Sequence, residues 1–186
     1  MVTLTSLWLP ILLSAIAVFL ASFLIHMVLP FHRKDYGKVP SEDDVMAALR
    51  KFSIAPGDYF IPCATGPADM KTPEYKKKVE QGPLVIMTVL GSNAYAMGRR
   101  LVQWFLFTVV VAIFAAYVAS RTLAPGTAYI TVFRIAGTVA FAGYALGLWP
   151  NSIWYSRKWS TTLMSTFDGL IYALLTAGFL GWLWPR

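Results

Sequence analysis

The sequence predicts an all-α integral membrane protein with four transmembrane helices. A small cytoplasmic segment between the first and second is read as mostly helical, with an α+β cap as the variant. Three observations carry that reading. Of 186 residues, 57% are hydrophobic and 13% are charged, against roughly 45–50% and 25% in a soluble domain. The mean hydropathy is +0.57. Four separate stretches are almost free of charge and as long as a helix needs to cross the hydrocarbon, about 20 residues for roughly 30 Å. Together these exclude intrinsic disorder, a soluble enzyme domain and a disulfide-stapled secreted module.

The first span covers residues 7–29 and contains no Lys, Arg, Asp or Glu, with His26 near its end. A cleaved signal peptide is the rival reading. Residues 1–25 lack the basic side chains of a positive n-region, and the apolar run exceeds a typical h-region of about 7–15 residues. The expectation is an uncleaved helix. The second span, residues 101–121, follows the Arg99-Arg100 pair. The third, residues 128–149, contains one charge, Arg134, and the fourth, residues 163–184, contains one charge, Asp168.

Orientation follows from the Lys and Arg that flank helix ends. Residues 30–98 and the Arg99-Arg100 pair hold eleven, and Arg157 and Lys158 add two more on the same side. The other side has Arg121 and Arg186. Thirteen against two places the long connection in the cytoplasm and both termini outside, in an inner (cytoplasmic) membrane. The net charge of +7 is therefore topogenic, and nucleic-acid binding is not expected. Trp8, Trp182 and Trp184 are read as anchors at the outer interface; Trp104, Trp149, Trp154 and Trp159 take the inner one.

Within residues 30–98, too few for a comfortable core of their own, Ser41 is read as a helix N-cap with Asp44 completing a capping-box variant. Val45, Ala48, Leu49 and Phe52 then recur at helical spacing. Thr72, Pro73 and Gly82 bracket a second short helix bearing Lys76, Lys77 and Lys78. Residues 84–90 are β-branched and too short to span. Two readings stand: a strand paired with residues 59–61, or an uncharged stretch, residues 84–97, that lies along the interface or re-enters the bilayer.

Charges inside a membrane are functional candidates by default. Arg134 lies shallow enough to snorkel. Asp168 sits at a similar depth from the opposite face, so the two are not expected to pair. His26, Arg99, Arg100 and Arg157 are the partners at its level, and the candidate polar site is Asp168, His26 and Arg134. His26, His32 and Asp35 are close in sequence, but their spacing matches no ligand motif, so no metal is assigned. Cys63 has no base beside it. With no P-loop, dinucleotide fingerprint or Gly-x-Ser-x-Gly, neither catalysis nor a cofactor is expected.

The most specific pattern is small residues at helical spacing. Gly169, Ala173, Ala177 and Gly181 recur in the fourth span, and Ala136, Ala140, Gly143 and Gly147 in the third. Such stripes let helix backbones approach closely. They serve equally to pack the chain against itself. The sequence reading is an accessory or scaffolding subunit that sits in the lipid bilayer against other membrane proteins or copies of itself. A small homo-oligomeric channel or transporter component is the alternative. Reporter fusions check the topology: both termini read as periplasmic, and a cytoplasmic signal at either one contradicts the charge count.

Overall fold

A computed structural model of the chain describes residues 2–92 and 96–186, which fall into two units: residues 2–37 with 97–186, and residues 38–92 with Ala96. The first unit is helical because its apolar runs are long, and a backbone in hydrocarbon must satisfy its own hydrogen bonds. Helix α1 (Trp8–Phe23) follows a 3-10 turn at Leu4–Leu7 and continues into a π-helical turn at Leu24–Val28. Four stretches are long and apolar enough to cross a membrane: Leu4–Val28, Met97–Thr122, Tyr129–Trp154 and Trp159–Trp182.

The second unit holds α2 (Glu42–Arg50), β1 (Gly57–Ile61), α3 (Pro73–Gln81) and β2 (Val85–Val89). The strands pair antiparallel with Tyr59 opposite Met87, so the strand reading of residues 84–90 is the one found. Residues 93–95 of the alternative interfacial segment lie outside the described residues. Thr72 caps α3, accepting from the Tyr75 amide at 3.2 Å. The Ser41 cap is a correction. Ser41 has φ 48°, in the left-handed region, and its side chain makes no capping bond; only its carbonyl is used, by the Asp44 and Val45 amides.

In the first unit α4 (Met97–Thr122), α5 (Tyr129–Tyr144), the short α6 (Trp149–Trp154) and α7 (Trp159–Trp182) complete the bundle. Helix α1 packs on α4 and α7, and α5 packs on the same two, so the spans circle the bundle in chain order. Hydrogen bonds tie neighbours together. Trp104 Nε1 donates to Ser22 Oγ at 2.8 Å, and Trp184 Nε1 to the Ala124 carbonyl at 3.0 Å. The indole N–H groups of Trp104 and Trp184 are thus used within the bundle.

The interior is built of small side chains. Ala112, Ala115, Ala116 and Ala119 of α4 are fully buried, as are Ala136 and Ala140 of α5 and Ala177 of α7. Where α5 meets α7, a Cβ on Gly169 would lie 2.9 Å from Ala145 Cβ, and one on Gly181 would lie 2.9 Å from the Tyr129 ring. Ala173 is buried within the same face. Gly143 turns instead to α4, where a Cβ would meet Val111 at 3.2 Å. Gly147 belongs to no stripe. It sits in a 3-10 turn (Leu146–Leu148) that interrupts the third span ahead of Pro150, whose ring cannot continue a helix through its own position, and nothing lies within 4 Å of its would-be Cβ.

These two glycines give a matched test. In thermal unfolding of detergent-purified protein, Gly169→Ala lowers stability by about 1 kcal/mol or more, because backbone has to move. Gly147→Ala leaves it unchanged.

Candidate functional site

The site begins where α1 ends. Its last turn is π-helical, closed by the Leu29 amide on the Leu24 carbonyl at 3.0 Å, and this wider turn carries His26. Pro30 then stops the helix, and the chain enters a 3-10 turn at Phe31–Lys34. That turn lays the His32 ring on the His26 ring, with centroids 4.3 Å apart and planes 17° from parallel. Asp35, three residues on, takes His32 Nδ1 at 2.7 Å.

Helix α7 supplies the fourth member. Asp168 lies nine residues on from Trp159, roughly 14 Å along the axis, and is 4% exposed. Its Oδ2 stands 2.8 Å from His32 Nε2. One nitrogen or oxygen from each of His26, His32 and Asp168 falls within 4.8 Å of the others.

Electrostatics make the arrangement unusual. A neutral imidazole has one N–H and one lone pair. If Nδ1–H goes to Asp35, Nε2 presents a lone pair to a buried carboxylate. Only a proton between the two atoms, carried by His32 or by the Asp168 carboxyl itself, or another cation makes that contact attractive. The 2.8 Å approach is also not aligned as a hydrogen bond, and both His32 Nε2 and Asp168 Oδ2 are buried without a hydrogen-bond partner.

Beside the cluster lies a cleft of about 370 Å³, lined by His26, Asp168, Trp104, Phe107, Tyr144 and Tyr172 among others. Tyr172 follows Asp168 by four residues and so shares its helix face. Its buried hydroxyl also lacks a partner. A polar floor under aromatic walls suits a small polar or ionic guest. The residues offer three chemistries: sharing a proton, holding a cation, or orienting a polar ligand.

Of the residues singled out in the sequence, Asp168 and His26 come together. Arg134 does not. It is exposed and lines a separate groove with Phe133, Thr138 and Leu174. Arg99, Arg100 and Arg157 form no ion pair among the described residues; the partner of Asp168 is His32. Sequence reasoning set His32 and Asp35 aside. The signal that was available is the Pro30 break, which folds the following residues back onto the end of α1, together with an i, i+3 His–Asp pair on a helical turn. Comparison with protein-family models, curated proteins and solved structures gave no match.

The cluster and Arg134 should respond differently to conservative change. In protein purified without chelator, Asp168→Asn removes the negative pole of the cluster and costs about 1.5–3 kcal/mol in thermal unfolding. Arg134→Lys stays within about 0.5 kcal/mol.

Proposed function

We propose that this chain is an accessory subunit of a membrane complex, held in the bilayer by its four-helix unit and docked to its partner through residues 38–96. One observation carries the reading. No described residue between Lys38 and Ala96 is buried. A chain of about 60 residues that folds alone buries about 60% of its surface. Helix α2 and the strands instead keep their apolar faces open, with Val45, Met46, Leu49, Phe52, Ile86 and Leu90 all exposed.

The groove between α2 and β2 is the docking surface this reading uses. It measures about 550 Å³ and is lined by Met46, Leu49, Ile54, Val89 and Leu90 with Arg50 and Ser53. Glu42, Asp43 and Asp44 crowd the first turn of α2. Anionic headgroups would be repelled at that end of α2, while the groove itself carries Arg50 as its charged side chain, which favours a protein segment with an apolar core and an acidic rim. The small-residue stripes fit the same assignment: Gly169 and Gly181 of α7 meet α5, and Gly143 of α5 meets α4, so these positions are used inside the four-helix unit.

The test is native mass spectrometry of the protein gently extracted from its own membrane. A stoichiometric foreign subunit is the expected result. A double change, Met46→Lys with Leu49→Lys, abolishes its retention while shifting the chain's own unfolding by no more than about 0.5 kcal/mol, since both positions are exposed. A homo-oligomer without a foreign subunit contradicts the reading and supports the channel alternative.

A further inference from the structure

We infer that His26, His32 and Asp168 form a binding site for one divalent transition-metal ion such as Zn²⁺, with Asp35 as the group that orients His32. The inference is independent of what docks on residues 38–96. It rests on the geometry at His32. A histidine that ligates a metal through one nitrogen ordinarily donates its other N–H to a carboxylate, which fixes the tautomer and sharpens the ligating lone pair. Asp35 stands in that position at Nδ1, 2.7 Å away. The ligating nitrogen is then Nε2, and it faces the Asp168 carboxylate.

Two lone pairs 2.8 Å apart repel unless something positive lies between them. A shared proton would draw the two atoms into a linear hydrogen bond. Both atoms are buried without a hydrogen-bond partner, which leaves both lone pairs for a cation held at a point beside them, off the line between them. A metal ion occupies such a point. Zn–N and Zn–O bonds of about 2.0–2.2 Å in a tetrahedron set the ligand atoms roughly 3.3–3.5 Å apart. The contact opens by about half an ångström to admit the ion.

His26 supplies the third ligand. Its ring is stacked on that of His32, which keeps it beside the other two ligands. The His26 side chain is exposed, and rotation about its own torsions turns a nitrogen toward the shared point from within the 4.8 Å already spanned. Two imidazoles and one carboxylate select a borderline transition ion over Mg²⁺ or Ca²⁺, which take oxygen ligands. Asp168 and His26 also line the aromatic cleft, so the remaining coordination position is open to water or to a small anionic or hydroxylated guest entering there.

The test uses the full chain in detergent, carrying a tag free of histidine and the Cys63→Ser change, because the thiol is exposed and would compete. The protein is stripped with chelator, freed of it and titrated with Co²⁺ and then Zn²⁺. Expected are saturable ligand-field bands of imidazole-ligated Co²⁺ at one equivalent per chain, bleached by one equivalent of Zn²⁺. Asp168→Asn and His32→Gln abolish the bands. Asp35→Asn weakens affinity about 10–100-fold, and Arg134→Lys changes nothing. Because the Asp168 and His32 changes are in the interior, His26→Gln is the deciding variant: its exposed position preserves folding, verified by thermal midpoint, and it too must lose affinity at least tenfold. The site is refuted if the folded, stripped chain shows no saturable Co²⁺ binding, or if the bands and the affinity survive unaltered in His26→Gln.

Discussion

A carboxyl group buried in a bundle of membrane-length helices has to be balanced by positive charge or by a proton of its own, and Asp168 is such a group. Charged side chains at membrane depth are costly unless paired. The end of α1 answers that demand. A π-helical turn, a proline stop and a 3-10 turn bring His26, His32 and Asp35 to the level of Asp168. Without the carboxylate on α7, nothing polar would hold the turn after Pro30 against the bundle. Without that turn, Asp168 would have only His26 beside it among the aromatic walls.

Close helix packing shapes the cleft beside the pair. Gly169 stands beside Asp168 and lets α7 approach α5 until backbone nearly touches backbone at Tyr144 and Ala145. The same approach brings Tyr144 and Tyr172 into edge contact at 5.5 Å between ring centroids, forming the wall of the cleft. A small residue and a charged one, adjacent on one helix, thus do two jobs: one sets the spacing of the bundle and the other sets what the gap contains. The second unit works by a different rule. It has no buried side chain among its described residues, and its apolar faces gain stability only from what covers them.

Much of the four-span fold was legible because hydropathy adds along the chain, and no tertiary contact is needed to read a run of 20 apolar residues. The pairing of residues 59–61 with the later β-branched run was legible only as one of two readings, because a short uncharged stretch reads equally as a strand or as an interfacial segment. What escaped depends on contacts between distant segments or on backbone angles. Ser41 has the composition of a cap but a left-handed φ that turns its side chain away. Gly147 fits the spacing of a packing stripe but falls in the turn ahead of Pro150. In the candidate site, Asp168 and His26 stood out as polar residues in apolar runs. His32 and Asp35 did not, since they lie outside any span and matter only once the chain doubles back. Arg134 drew attention for its charge alone, and its side chain is exposed on the bundle and lines a groove apart from Asp168.

The account turns on what neutralises Asp168, and an X-ray absorption spectrum of the protein purified without chelator measures that directly. A bound metal ligated by His26, His32 and Asp168 gives a nitrogen and oxygen shell at about 2.0–2.2 Å. It also gives the outer-shell scattering of two imidazoles, which falls to that of one in His26→Gln. A spectrum with no metal above background contradicts the account, as does a sulfur shell at about 2.3 Å from Cys63; either would leave a proton shared between His32 and two carboxylates as the charge that holds the site together.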